Sequence, residues 1–73
     1  MSSTAAPTLQ ITLNGEAMEV ETPTIAALVD SLKLDLTKVA VERNLSIVPR
    51  SQYAQTPIAS GDRIEIVGFI GGG

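Results

Sequence analysis

Thr8-Leu9-Gln10-Ile11-Thr12-Leu13-Asn14-Gly15-Glu16-Ala17-Met18-Glu19-Val20-Glu21 decides the fold. Leu9, Ile11 and Leu13 alternate with Thr8, Gln10 and Thr12, and beyond Asn14-Gly15 the apolar Met18 and Val20 alternate with Glu19 and Glu21. Asn-Gly between alternating runs selects a two-residue type I′ turn, because both central residues need positive φ. Such a loop pairs Leu13 with Glu16, Ile11 with Met18 and Leu9 with Val20. The apolar members of both strands then share one face, with Gln10, Glu19 and Glu21 on the other.

Outward from the hairpin, Pro23-Thr24 breaks the strand, and Ile25, Leu28, Val29 and Leu32 recur at the spacing of an amphipathic helix. Thr24 is its predicted N-cap. The helix is predicted to end around Lys33 to Asp35, with Leu34 and Leu36 plugging the exit. Val39 and Val41, then Ile47 and Val48, read as two short strands joined at Asn44-Leu45-Ser46, where Asn44 best tolerates left-handed backbone. Pro49 stops the second of them. Residues 50–57 lack clean periodicity and are expected to hold a single helical turn under which Tyr53 packs. Ser60-Gly61-Asp62 is a turn, and residues 63–67 are the most β-prone run.

The order is strand, strand, helix, strand, strand, loop, strand. It predicts an α+β domain in which a mixed sheet of four to five strands grips one main helix, the β-grasp architecture. A right-handed crossover through the helix would set the final strand parallel to the first at the sheet centre. The domain is expected to span residues 8–70. Residues 1–7 are small and polar and read as a flexible leader, and residues 71–73 as a flexible glycine tail.

Seventy-three residues are enough for one small core and little else. The chain has no Cys, His or Trp, so a thiol nucleophile, an imidazole base, disulfides and structural zinc are excluded. Five Lys and Arg against eight Asp and Glu leave a net charge of −3, and the bases are scattered. With Tyr53 and Phe69 as the only aromatics there is neither a basic patch nor a stacking platform, so no nucleic-acid partner is expected. The longest apolar run, Ile25 to Val29, is far short of a membrane span. Nor does the N-terminus read as a signal peptide, and a cytoplasmic monomer is expected.

The search for chemistry narrows to a few residues. Glu19 and Glu21 form an acid pair on one strand face, a pattern better accounted for as solvated carboxylates. Asp62 reads as a turn residue, Tyr53 as core, and Arg50 as a single guanidinium too isolated to define an anion site. The end of the chain differs. Gly68-Phe69-Ile70-Gly71-Gly72-Gly73 places three residues without Cβ after an apolar pair, and such glycines do not hold a fold. The bland reading is a frayed end. The functional one is a tail thin enough to thread a narrow channel in another protein and present its carboxylate there. A carboxylate is a poor acyl donor until activated, and no phosphate-cradling loop is present to bind ATP. A partner must supply the activation.

The chain resembles the ThiS family, the small ubiquitin-like sulfur carriers of thiamin biosynthesis, from Thr8 to Gly73. The resemblance is carried by Asn14-Gly15-Glu16, Thr24-Ile25-Ala26-Ala27-Leu28, Val39-Ala40-Val41-Glu42, Ile47-Val48-Pro49-Arg50-Ser51-Gln52-Tyr53-Ala54 and Gly61-Asp62-Arg63-Ile64-Glu65-Ile66-Val67, followed by the terminal glycines. It implies that the Gly73 carboxylate is adenylated by a ThiF-type adenylyltransferase using ATP with Mg, and becomes a thiocarboxylate with sulfur from a cysteine desulfurase system. It further implies delivery of that sulfur to a ThiG-type thiazole synthase. On this reading Gly71 and Gly72 supply the slim approach, Phe69 and Ile70 anchor the partner, and the chain is a carrier substrate that binds no cofactor or metal itself. Two alternatives share the fold: the small subunit of molybdopterin synthase, and a ubiquitin-like protein modifier or binding module.

Overall fold

The computed structural model describes residues 8–68. The expected leader, residues 1–7, and the expected partner anchors and tail, Phe69, Ile70, Gly71, Gly72 and Gly73, lie outside the described residues. The elements are β1 (Leu9–Leu13), β2 (Glu16–Val20), α1 (Ile25–Ser31), β3 (Val39–Arg43), β4 (Ser46–Val48) and β5 (Arg63–Gly68). Short 3₁₀ segments occupy Leu36–Lys38 and Arg50–Gln55.

Asn14 and Gly15 take φ of 50° and 86°, as a type I′ turn demands. The β1–β2 register is the expected one, with Leu9 opposite Val20, Ile11 opposite Met18 and Leu13 opposite Glu16. All five strands join one sheet in the order β2-β1-β5-β3-β4, with β5 parallel to β1 and antiparallel to β3. The last strand in sequence is therefore the middle strand in space. This is the β-grasp arrangement, with α1 covering one face.

α1 starts as expected: Thr24 Oγ1 accepts the Ala27 N–H at 3.2 Å and caps the helix. It ends earlier than the apolar spacing predicts, at Ser31 rather than Lys33 to Asp35. Lys33 adopts φ 64°, its N–H donates to the Asp30 carbonyl at 3.0 Å, and the Leu34 N–H donates to the Val29 carbonyl at 3.2 Å. These two bonds form a Schellman cap, in which the left-handed position usually held by glycine is filled by lysine. Leu36 packs partly buried against the core as expected, but Leu34 is exposed and plugs nothing.

The β3–β4 connection is tighter than its sequence indicates. Asn44 is left-handed as expected, but Leu45 joins it at φ 73°, so the loop has two residues and β4 begins at Ser46. The expected single turn in residues 50–57 is a 3₁₀ segment of six residues, and Tyr53 packs under it. The Tyr53 hydroxyl donates to the Val39 carbonyl at 3.2 Å, which satisfies the phenol inside the core.

The core gathers Ile11, Leu13 and Val20 from the hairpin with Ile25, Leu28 and Val29 from α1, and Val39, Val41, Val48, Ile64 and Ile66 from the other strands. No helix among the described residues is long and apolar enough to cross a membrane.

Two substitutions separate packing from backbone strain. Leu28→Ala should lower the unfolding free energy in urea titrations by about 2–5 kcal/mol, because it opens a cavity between helix and sheet. Lys33→Gly should raise it by about 1 kcal/mol, because glycine carries no Cβ penalty in left-handed backbone.

Candidate functional site

The residues that carry the sequence-based reading follow β5, so the geometry that matters is how β5 is held and where it points. Each edge of β5 is paired. On the β1 side the parallel register covers Thr12 with Arg63 and Leu13 with Ile64. Beyond that, the Asn14 side chain continues the ladder. Its Oδ1 accepts the Ile66 N–H at 2.8 Å and its Nδ2 donates to the Ile66 carbonyl at 3.2 Å. A side-chain amide thus imitates one further backbone unit. On the β3 side five residue pairs run from Arg43–Ile64 to Val39–Gly68.

The start of β5 is fixed by a charged cluster. Asp62 is 5% exposed. Its Oδ2 accepts Arg43 Nε at 2.7 Å and the Ala59 N–H at 2.8 Å, and its Oδ1 accepts Asn44 Nδ2 at 3.0 Å. Asn44 in turn accepts the Arg63 N–H through Oδ1 at 2.8 Å and donates its own N–H to the Arg63 carbonyl at 2.7 Å. Burial acts to raise the Asp62 pKa, but the donors from Ala59, Arg43 and Asn44 outweigh it, and the carboxyl is held below its ordinary value. Asp62 closes the expected turn, its N–H donating to the Ala59 carbonyl at 3.1 Å, and its buried carboxylate also ties the β3–β4 turn to the start of β5.

The other side chains singled out from the sequence do not converge. Glu19 and Glu21 are exposed, and Glu19 accepts from Gln10 Nε2 at 3.1 Å. Arg50 donates to the Thr37 carbonyl at 3.1 Å and so braces a loop. Tyr53 is core. What the described residues build is a strand paired on both edges whose last described residue, Gly68, is exposed and opposite Val39.

The ThiS family model matches residues 11–73. The chain is 40% identical over 63 residues to the sulfur carrier protein ThiS of Bacillus subtilis, covering 84% of this chain and 96% of that one. It is also 50% identical over 66 residues to a thiazole synthase of Paramagnetospirillum magneticum, and 42% identical over 66 residues to one of Magnetococcus marinus. It spans only 20% of the length of each of these two, and 89% of its own length is covered. Among solved structures, a thiamine biosynthesis protein (ThiS) from Geobacter metallireducens superposes with a TM-score of 0.76 at 30% identity, covering 89% of this chain and 100% of that chain.

The Asp62 cluster has a measurable signature. An Asp pKa lowered by folding contributes stability that is complete above the pKa of the unfolded chain and disappears as pH falls through the folded-state value. Asp62→Asn should therefore cost about 1.5–3 kcal/mol near neutral pH and flatten the acid limb of the stability profile, measured by urea melts between about pH 7 and pH 2.

Proposed function

The chain belongs to the ThiS family, the sulfur carriers of thiamin biosynthesis, and on that premise we propose that Gly73 is the atom-bearing end of the carrier. Its carboxylate is adenylated by a ThiF-type partner that binds ATP with Mg, with pyrophosphate released. A sulfide equivalent originating in a cysteine desulfurase system then attacks the acyl carbon, and AMP leaves. The resulting thiocarboxylate gives its sulfur to a ThiG-type thiazole synthase.

The observation that supports this most directly is the division of labour along the chain. On this reading the chain is a carrier substrate and the chemistry belongs to its partners, in keeping with Asp62 and Arg50 bracing loops and Glu19 and Glu21 standing exposed. Gly71 and Gly72 provide an approach without side chains, and Phe69 and Ile70 meet the partner. The cytoplasm, where these partners would be found, is the proposed location. The relatives favour the thiamin branch over the molybdopterin branch and over a protein modifier, since the sulfur carrier of Bacillus subtilis matches along nearly its whole length.

Intact mass tests the proposal. Incubation with ATP, a ThiF-type enzyme and a sulfur source should add about 16 Da, the exchange of one oxygen for sulfur at Gly73. Removal of Gly72 and Gly73 should abolish that gain. The urea midpoint should stay where it was, because the buried core residues among the described ones run from Ile11 to Ile66. An unchanged mass in the intact chain under conditions that load another ThiS protein counts against the assignment.

A further inference from the structure

The chain holds two asparagines, and both occupy the first position of a two-residue turn in left-handed backbone, Asn14 at φ 50° and Asn44 at φ 52°. Each directs its side-chain amide to the backbone of β5, Asn14 at Ile66 and Asn44 at Arg63. They differ in the residue that follows. Leu45 shields the peptide nitrogen after Asn44 with a branched side chain. Gly15 has no side chain, and even a Cβ added there would meet nothing within 4 Å. Asn14 and Gly15 are both exposed, so water reaches the turn.

Asparagine is thermolabile because the peptide nitrogen that follows it can displace its side-chain amine. The Gly15 nitrogen, giving up its proton to water, bonds to Asn14 Cγ; the Cγ–Nδ2 bond breaks, ammonia leaves, and a five-membered imide closes. Water then opens one of the two imide carbonyls, which gives aspartate or isoaspartate at position 14 without any oxidant or reductant. Ring closure brings the Gly15 nitrogen into eclipse with Asn14 Cβ, a rotation far from the left-handed region that a type I′ turn holds. It also withdraws Oδ1 and Nδ2 from Ile66. The turn must open first, so the fold restrains the reaction.

We propose that Asn14 is a site of spontaneous deamidation, gated by the hydrogen bonds between its amide and Ile66, and that the isoaspartyl product unlocks β5 on its β1 side. Backbone pairing with β1 ends at Leu13 and Ile64, and the Asn14 N–H then reaches the Ile64 carbonyl at 2.9 Å. Among the described residues, the Asn14 amide is what meets Ile66 on this edge. In isoaspartate the main chain runs through Cβ and the free carboxylate sits on Cα, one carbon shorter, so the reach to Ile66 is lost. The aspartyl product keeps an acceptor for the Ile66 N–H but sets its second oxygen against the Ile66 carbonyl where a donor stood. The two products therefore loosen the strand to different degrees.

The test holds the full chain in mildly alkaline buffer, with and without denaturing urea, and follows each asparagine by peptide mass. Replacement of NH2 by OH adds about 1 Da. Asn14 should gain it in the folded chain, about tenfold more slowly than in urea, while Asn44 lags behind in both states. Gly15→Ala should slow conversion in urea about tenfold, a reading that does not depend on the variant folding. Ion exchange separates the deamidated forms by their added negative charge. In the isoaspartyl form, hydrogen exchange at the Ile66 N–H should be about tenfold faster than in the parent, while the Arg63 N–H, held by Asn44, keeps its protection. The proposal is overturned if Asn14 stays intact in the folded chain while the unfolded chain converts, if the two states convert equally fast, or if Asn44 keeps pace with Asn14. Equal loss of protection at Ile66 and Arg63 overturns it as well. No partner protein enters these measurements, so their outcome is independent of the sulfur-carrier reading.

Discussion

Hydrogen bonding along both edges of β5 is the constraint on which the rest of the molecule depends. β5, parallel to β1 and antiparallel to β3, draws its two partners from separate hairpins. Here the first hairpin supplies one edge and the second hairpin the other. Each hairpin turn contributes an asparagine in left-handed backbone whose side chain bonds the backbone of β5, Asn14 at Ile66 and Asn44 at Arg63. The turns therefore reverse the chain and also extend the ladder beyond what backbone pairing reaches.

The Arg43–Asp62 pair has a place in the same economy of polar groups. A buried carboxylate is costly unless its lone pairs are satisfied, and Asp62 meets three donating residues from two segments. Its worth is in specificity of placement: it fixes where β5 begins, and the register with β1 and β3 follows. Strain is accepted elsewhere. Lys33 and Leu45 both sit in left-handed backbone without being glycine, each at an exposed position where the surrounding hydrogen bonds hold it.

This construction suits a carrier. β5 is paired along both edges, and the Asp62 and Asn14 side chains add further hydrogen bonds at and beside it. The helix-covered face is closed by packing of aliphatic side chains, while the opposite face keeps Ile47 and Val67 in solvent beside two facing glutamates. One side of the sheet makes the fold, and the other carries exposed apolar side chains.

Local regularities alone determined the first hairpin and its register, the N-cap of α1 and Tyr53 as core. Each depends on residues close in sequence: alternation with a period of two, an Asn-Gly pair, a threonine before an apolar helical stripe. The tertiary structure decided what local pattern does not carry. Helix termination at Lys33 lacked the glycine that announces it, and Leu45 entered a turn conformation its side chain disfavours. Asp62 read as a turn residue because its partners Arg43 and Asn44 come from a different hairpin, and Asn14 reaches Ile66 across 52 residues of sequence. Hydrogen bonds between such distant groups exist only once the chain has closed around β5, which is why periodicity could outline the fold but could not show what locks it.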